Sequence, residues 1–273
     1  MHPRNRHQER YDLPRLAKAH APLAAFVVKN AHGDLSVDFA DPRAVVALNQ
    51  ALLKDWYGIE HWDVPPGYLS PPVPGRADYI HHVAELVGEG AKRVLDVGTG
   101  ASCIYPIIGR CEYGWSFVGT DVDEKALGCA RTIVEANPRL KGGVELRLQK
   151  APAVLKGVIL PGERFDLVVC NPPFHASQAE ADAATKRKWT NLGHRPDAGR
   201  NFGGQGRELW APGGEERFVR TMIDESRDFA GQVEWFTALI SKAETLSKLP
   251  KVKSQVREMG QGNKKSRILA WSF

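Results

Sequence analysis

The chain reads as an α/β fold: a mostly parallel sheet covered on both faces by helices, with a small α+β module at the amino end. Three observations point there. From Lys92 onward, short apolar segments alternate with segments of helical periodicity, the rhythm of a parallel sheet with crossover helices. The apolar run Phe165–Cys170 stops abruptly at Asn171-Pro172-Pro173-Phe174, as a buried strand does when prolines end its ladder. At 273 residues and 42% hydrophobic content, the chain is long enough for one large domain with a substantial core and a small appendage.

The elements follow in order. Residues 1–20 are basic, hold Pro3 and Pro14, and read as an irregular arm. Ala25–Lys29 and Leu35–Phe39 flank Asn30-Ala31-His32-Gly33-Asp34 and read as a short hairpin. Asp41-Pro42 places a cap before a proline at the first helical position and opens a helix from about Arg43 to Tyr57. Residues 1–62 are thus expected to form a module. Asp63–Gly75, with Pro65, Pro66, Pro71, Pro72 and Pro74, reads as a linker, and residues 76–273 as the main domain. That domain opens with a helix over Arg76–Val87. Strands are expected at Arg93–Val97, Ser116–Thr120, Val144–Leu148, Phe165–Cys170, Glu234–Ile240 and Arg267–Phe273. Helices are expected at Ile104–Arg110, Glu124–Ala136 and Glu216–Phe229, with a helix and turn after Lys242. Ser177–Pro212 is long, polar and rich in Gly, Arg and Lys, which reads as a functional or a disordered loop.

Composition excludes several classes. No stretch approaches 18 consecutive apolar residues, so no membrane span is expected. The basic start lacks the apolar segment of a signal peptide, which implies a cytoplasmic protein. Cys103, Cys111, Cys129 and Cys170 form no CxxC pair and read as buried free thiols, with no metal site expected. The net charge of +5 fits a polyanionic partner. Its clustering says more: Arg4–Arg10, Lys186-Arg187-Lys188-Trp189, His194-Arg195 with Arg200, and Lys248–Lys265 are basic, with Trp189 and Phe202 among them. Each cluster alone is as well read as a solvated face; together they point to nucleic acid.

The candidate site lies at two loops. Leu95-Asp96-Val97-Gly98-Thr99-Gly100 ends one strand; the two glycines let backbone turn tightly beside a ligand. Asp121 closes the next strand, where an acid usually accepts from the ribose hydroxyls of an adenosine ligand. Cys103 stands where the longer dinucleotide signature has its third glycine, which favours S-adenosylmethionine over NAD. The second loop, Asn171-Pro172-Pro173-Phe174, offers an amide that accepts from an NH2 group and a ring that stacks on a planar base. Its plain alternative is a proline-terminated strand with a turn Asn and a core Phe.

The combination resembles the Rossmann-like S-adenosylmethionine-dependent amino-methyltransferases. More specifically, Asp96–Pro106, Asn171–His175, Asn201–Gln205, Glu208–Trp210, Gly213–Glu215 and Ser266–Phe273 resemble the 23S rRNA adenine N6-methyltransferase family. The nuclear U6 small RNA adenine methyltransferases share much of this pattern. The resemblance covers nearly the whole chain, although the stretch between Ser241 and Val256 is about ten residues shorter than the family pattern suggests. It implies N6-methylation of one adenine of large-subunit RNA. Donor contacts would come from Arg76, Gly98, Asp121 and Asn171, beside Asp96 and Gly100 from the loop itself.

The expected clamp uses the Asn171 side-chain oxygen and the Pro172 carbonyl to hold both N–H bonds of the amine, with Phe174 stacked on the base. Arg4, Arg6, Lys186, Arg187 and Lys188 are the expected phosphate contacts. His175 is read as structural or RNA-facing; Trp189, Phe202 and Trp210 could stack on RNA or pack the loop, with packing the better reading for Trp210 in its apolar context. The expected partner is 23S rRNA or a subunit assembly intermediate, with no membrane and no obligate protein partner. Two rival readings remain: a protein glutamine N5-methyltransferase, which suits the same clamp, and a non-catalytic RNA-binding assembly factor.

Overall fold

The computed structural model describes residues 1–183, 209–261 and 264–273. A seven-stranded sheet forms the main domain: β3 (Arg93–Val97), β4 (Ser116–Asp121), β5 (Val144–Leu148), β6 (Phe165–Cys170), β7 (Val233–Ile240), β8 (Ser254–Gln261) and β9 (Lys264–Trp271). Their spatial order is β5-β4-β3-β6-β7-β9-β8. The first five are parallel; β9 runs antiparallel to both its neighbours.

Side chains of the central strands alternate between two cores because successive residues of a strand face opposite ways. Val94, Phe117, Leu167 and Val169 join the core under α3 (Val73–Val87) and α4 (Ile104–Tyr113). Leu95, Val118, Val168 and Cys170 join the core under α6 (Gly214–Ser226). The short helix α7 (Ala243–Lys248) follows β7, and α5 (Glu124–Ala136) connects β4 to β5. At Gly109 an added Cβ would stand 2.4 Å from Phe117 Cζ, so α4 reaches the sheet only because that position lacks a side chain.

The amino-terminal part holds α1 (Leu13–Ala19), the hairpin β1 (Val27–Lys29) and β2 (Leu35–Val37), and α2 (Pro42–Tyr57). The arm read as irregular therefore contains a helix. Asp12 caps it by accepting from Arg15 N–H, and Pro14 sits in the first turn, where its missing donor costs nothing. Leu13 and Leu16 give only a two-residue apolar stripe, too little to register as periodicity. The segment read as a linker runs into α3 at Val73, with Pro74 accommodated in the first turn. Packing also crosses the expected boundary at residue 62: Leu53, Tyr57, Ile59 and Trp62 share a core with α3 and α4.

Strand β8 was not expected from the sequence. It is an edge strand, paired only with β9, and its residues 254–256 and 258 are exposed, so the alternation that marks a strand is absent. All four cysteines are free, with Cys103 and Cys170 buried but Cys111 and Cys129 only half-buried, a correction to the expectation of four buried thiols. Among the described residues, no helix is long and apolar enough to cross a membrane.

Candidate active site

Sheet register brings the two predicted loops together. Val97 pairs with Thr120 on one side and with Cys170 on the other. Asp121, Gly98 and Asn171 therefore leave three adjacent strands at the same carboxyl edge, where open α/β sheets bind ligands. A cavity of about 570 Å³ lies there, within the usual size of a small-molecule site. Arg76, Gly98, Gly100, Asp121 and Asn171 all line it.

The glycine loop is bent as its sequence requires. Gly98 and Gly100 take φ of 78° and 62°, which glycine adopts without strain. Cys103, at the third position of the motif, is the one non-glycine residue with positive φ among the described residues, at 51°, and it is the N-cap of α4. Its thiol is enclosed, and burial holds it well above the usual cysteine range, so it is inert packing. Gly98 and Thr99 N–H both donate to Thr120 O, at 2.9 Å each. The Asp121 carboxylate closes the turn by accepting from Gly100 N–H at 3.0 Å and Asp123 N–H at 2.9 Å. Burial raises the Asp121 pKa, and those two backbone donors oppose the rise.

Asn171 is the polar feature of the second loop. It lines the cavity, and its Oδ1 is buried without a hydrogen-bond partner among the described residues. A buried acceptor with no protein partner costs stability unless something else supplies a donor. Below it, Tyr79 of α3 pins the strand end: its hydroxyl meets Thr237 Oγ1 at 2.7 Å and accepts from Cys170 N–H at 3.3 Å. Thr237 in turn donates to Val168 O at 2.8 Å. The Arg76 guanidinium, 8% exposed, donates to Tyr105 Oη at 2.9 Å and keeps further N–H groups beside the cavity.

Three expected site residues sit elsewhere. Asp96 is fully enclosed and does not line the cavity. It lies under the glycine loop, and its backbone carbonyl accepts from Thr120 Oγ1. Burial pushes its carboxyl up to about 7, reinforced by Asp121 and opposed by Thr99 and Arg76. Phe174 lines a separate cavity of about 120 Å³ near the start of α6, and buried Pro172 is outside the 570 Å³ lining while Pro173 is in it. His175 faces Glu180, Nδ1 to Oε1 at 3.7 Å, which supports its structural reading.

The arm does not hang free. His2, Asn5 and His7 are buried; His2 N–H and Asn5 Nδ2 both donate to Asp78 of α3. Arg6 is paired with Glu112 at 3.0 Å, and Arg4 lies over the Tyr113 ring. Lys186, Arg187, Lys188, Trp189 and Phe202 lie outside the described residues.

Sequence reasoning missed Tyr105, Gln149 and the cavity-lining position of Trp210. Gln149 was findable, since it directly follows β5 at the carboxyl edge. Trp210 was read as packing; it is half-buried, and with Ala211 and Pro212 it forms the wall beside Pro173.

A Rossmann-like sheet with a glycine loop, an acid at the end of the next strand and a buried amide oxygen at its carboxyl edge is the arrangement of the methyltransferase class. A model of the family described as RNA methyltransferase matches residues 1–273, and the chain belongs to that family. Ribosomal RNA large subunit methyltransferase F of Pseudomonas putida is 51% identical, with all of this chain and 93% of that protein covered. The protein of the same name from Salmonella newport is 50% identical over 100% of this chain and 93% of its own. Among solved structures, the hMettl16 catalytic domain in complex with MAT2A 3′UTR hairpin 6 is similar, with a TM-score of 0.86. It is 34% identical and covers 100% of this chain and 97% of its own. The human METTL16 N-terminal domain in complex with SAH has a TM-score of 0.78 at 29% identity, covering 100% of this chain and 98% of its own.

Proposed function

We propose that this protein transfers a methyl group from S-adenosylmethionine to N6 of one adenine in 23S rRNA, acting in the cytoplasm on large-subunit RNA or an assembly intermediate. The observation that carries the proposal is the buried Asn171 Oδ1 at the cavity wall, which has no hydrogen-bond partner among the described residues. An acceptor held there suits an N–H of an exocyclic amine. The family is one of RNA methyltransferases, and so the protein-amide and non-catalytic readings are set aside.

The cavity fits the donor. Arg76 offers N–H groups to a carboxylate, Asp121 an acceptor for ribose hydroxyls, and Val122 and Val154 apolar walls for a purine. When bound, S-adenosylmethionine supplies an electrophilic methyl group on a sulfonium. The protein's task is orientation. An exocyclic adenine amine is a poor nucleophile because its lone pair is delocalised into the ring. Asn171 Oδ1 accepts an N–H of the amine, draws the nitrogen towards tetrahedral geometry and directs its lone pair. No base is required beforehand, because the proton leaves after the nitrogen becomes cationic. The adenine must first leave its stack, at a cost of a few kcal/mol.

Mass spectrometry of 23S rRNA from cells lacking the protein is expected to show one N6-methyladenine lost and restored by the wild-type gene. Unchanged modification would sink the rRNA target.

A further inference from the structure

We infer that Trp210 is the face on which the target adenine stacks, and that Gln178 holds the indole in that position. The inference rests on the adenine reading above. It begins with backbone. His175 N–H donates to Leu209 O at 3.0 Å, and Ala211 N–H donates to His175 O at 3.1 Å, so the loop after Asn171 is stitched to the segment bearing Trp210. Gly214 N–H then donates to Ala211 O at 2.8 Å and starts α6. Trp210 is thereby fixed across from the Asn171–His175 loop.

Topology sets which end of the cavity this is. Gly98 and Asp121 belong to the tips of β3 and β4, on one side of β6. The Trp210 segment leads through α6 to β7, on the other side. The donor-binding groups and Trp210 thus flank Asn171 from opposite directions, which puts the indole at the acceptor end.

The side chain is also oriented. Its Nε1–H donates to Gln178 Oε1 at 2.8 Å, and Gln178 Nε2 donates to Asp182 Oδ1 at 2.8 Å, which fixes the amide so that its oxygen meets the indole. With the polar edge satisfied, the surface an indole offers is its π face. Tyr105 and Phe218 also line the 570 Å³ cavity, and Phe174 lines the neighbouring small one, where Glu180 pairs with Lys242 and Glu216 with Lys248. Base–aromatic stacking by a single ring is worth roughly 5- to 150-fold in affinity.

The test uses the full chain and large-subunit RNA purified from cells lacking the protein. Trp210→Leu, which keeps apolar bulk but no π face, is expected to lower kcat/KM by about 30-fold. Trp210→Phe should lose no more than about 5-fold, with S-adenosylhomocysteine binding by calorimetry unchanged in both. Equal losses in the two variants, or wild-type turnover in Trp210→Leu, overturn the inference. A second readout does not need the leucine variant to fold: the emission difference between wild type and Trp210→Phe should be quenched by a short oligoadenylate, and an unquenched difference also overturns it. Absence of transfer by the wild-type protein to this RNA defeats the rRNA reading instead, and the quenching experiment then judges Trp210 alone.

Discussion

The two ends of the parallel strands solve opposite problems. At the amino ends, charges are matched. Glu163, just before β6, accepts from Nη2 of Arg93, the first residue of β3, and from Nη1 and Nη2 of Arg147, which reaches it from the other end of β5, each at 2.7 Å, and from Leu160 N–H at 2.9 Å. The Arg147 guanidinium beside it holds its carboxyl at about 2. Asp166 accepts from Arg93 N–H at 2.7 Å. At the carboxyl ends, Asn171 Oδ1, Thr99 Oγ1 and both Asp96 oxygens are buried without hydrogen bonds of good geometry among the described residues. Two of these residues, Thr99 and Asn171, line the cavity. Around the cavity polar bonding is unfinished, as it also is, among the described residues, at a few buried atoms elsewhere such as His81 Nε2. Sites commonly carry such a local cost, which binding then offsets.

The comparison can be broken at either end. The largest effect is expected at Asn171: Asn171→Ala should lower methyl transfer by about 1,000-fold, the range seen when a positioned transition-state contact is removed. S-adenosylhomocysteine binding measured by calorimetry should change little; retained turnover would refute the clamp. Asp121→Ala should act on the other quantity, weakening S-adenosylhomocysteine by roughly 10- to 100-fold, because it removes both a ribose acceptor and the anchor of Gly100. An unchanged dissociation constant would show that neither the Asp121 carboxylate nor its hold on Gly100 contributes to binding.

At the opposite ends, Glu163→Gln should leave kcat intact and destabilise the fold by about 2 kcal/mol at pH 7. The Glu163 pKa is depressed on folding, so its contribution is fully present above the ordinary glutamate value. It is lost as pH falls towards about 2. Unfolding curves of the two proteins should therefore converge between about pH 4.5 and pH 2; a constant gap would contradict the ion network.

Asp96 should show an effect of the opposite sign. Its carboxyl is raised to about 7 by burial, so the folded protein binds the proton more tightly than the unfolded chain, and stability declines as pH rises from about 4 to 7. Asp96→Asn should flatten that decline by about 1–3 kcal/mol across the window. Parallel profiles would mean that Asp96 titrates normally.

Much of the fold was legible because the parallel strands are buried on both faces and read as apolar runs. Arg93–Val97 and Phe165–Cys170 match the observed strands residue for residue, and so does Val144–Leu148, a half-buried edge strand that alternates apolar with charged residues. Strand β8 was not legible, since an exposed edge has no side-chain pattern to betray it, and α1 was hidden by its length. Within the site, Gly98, Gly100, Asp121 and Asn171 were readable because each stands at a strand end. The residues that behaved differently, Asp96 and Phe174, stand within one to four residues of those same strand ends. Which of two neighbouring side chains faces a cavity depends on how the loop turns.

The amino-acid sequence by itself determined the sheet's central strands, the two loops at their carboxyl edge and the chemical types placed there. Those follow from local rules: apolar runs bury, prolines end ladders, and glycines turn. Only the tertiary structure decided that the amino-terminal arm docks on α3, that Asp96 lies beneath the cavity, and that Trp210 stands across from Asn171. Each depends on contacts between segments far apart in the chain, such as Asn5 with Asp78, and on backbone bonds between loops, such as His175 with Leu209. No local pattern records those pairings.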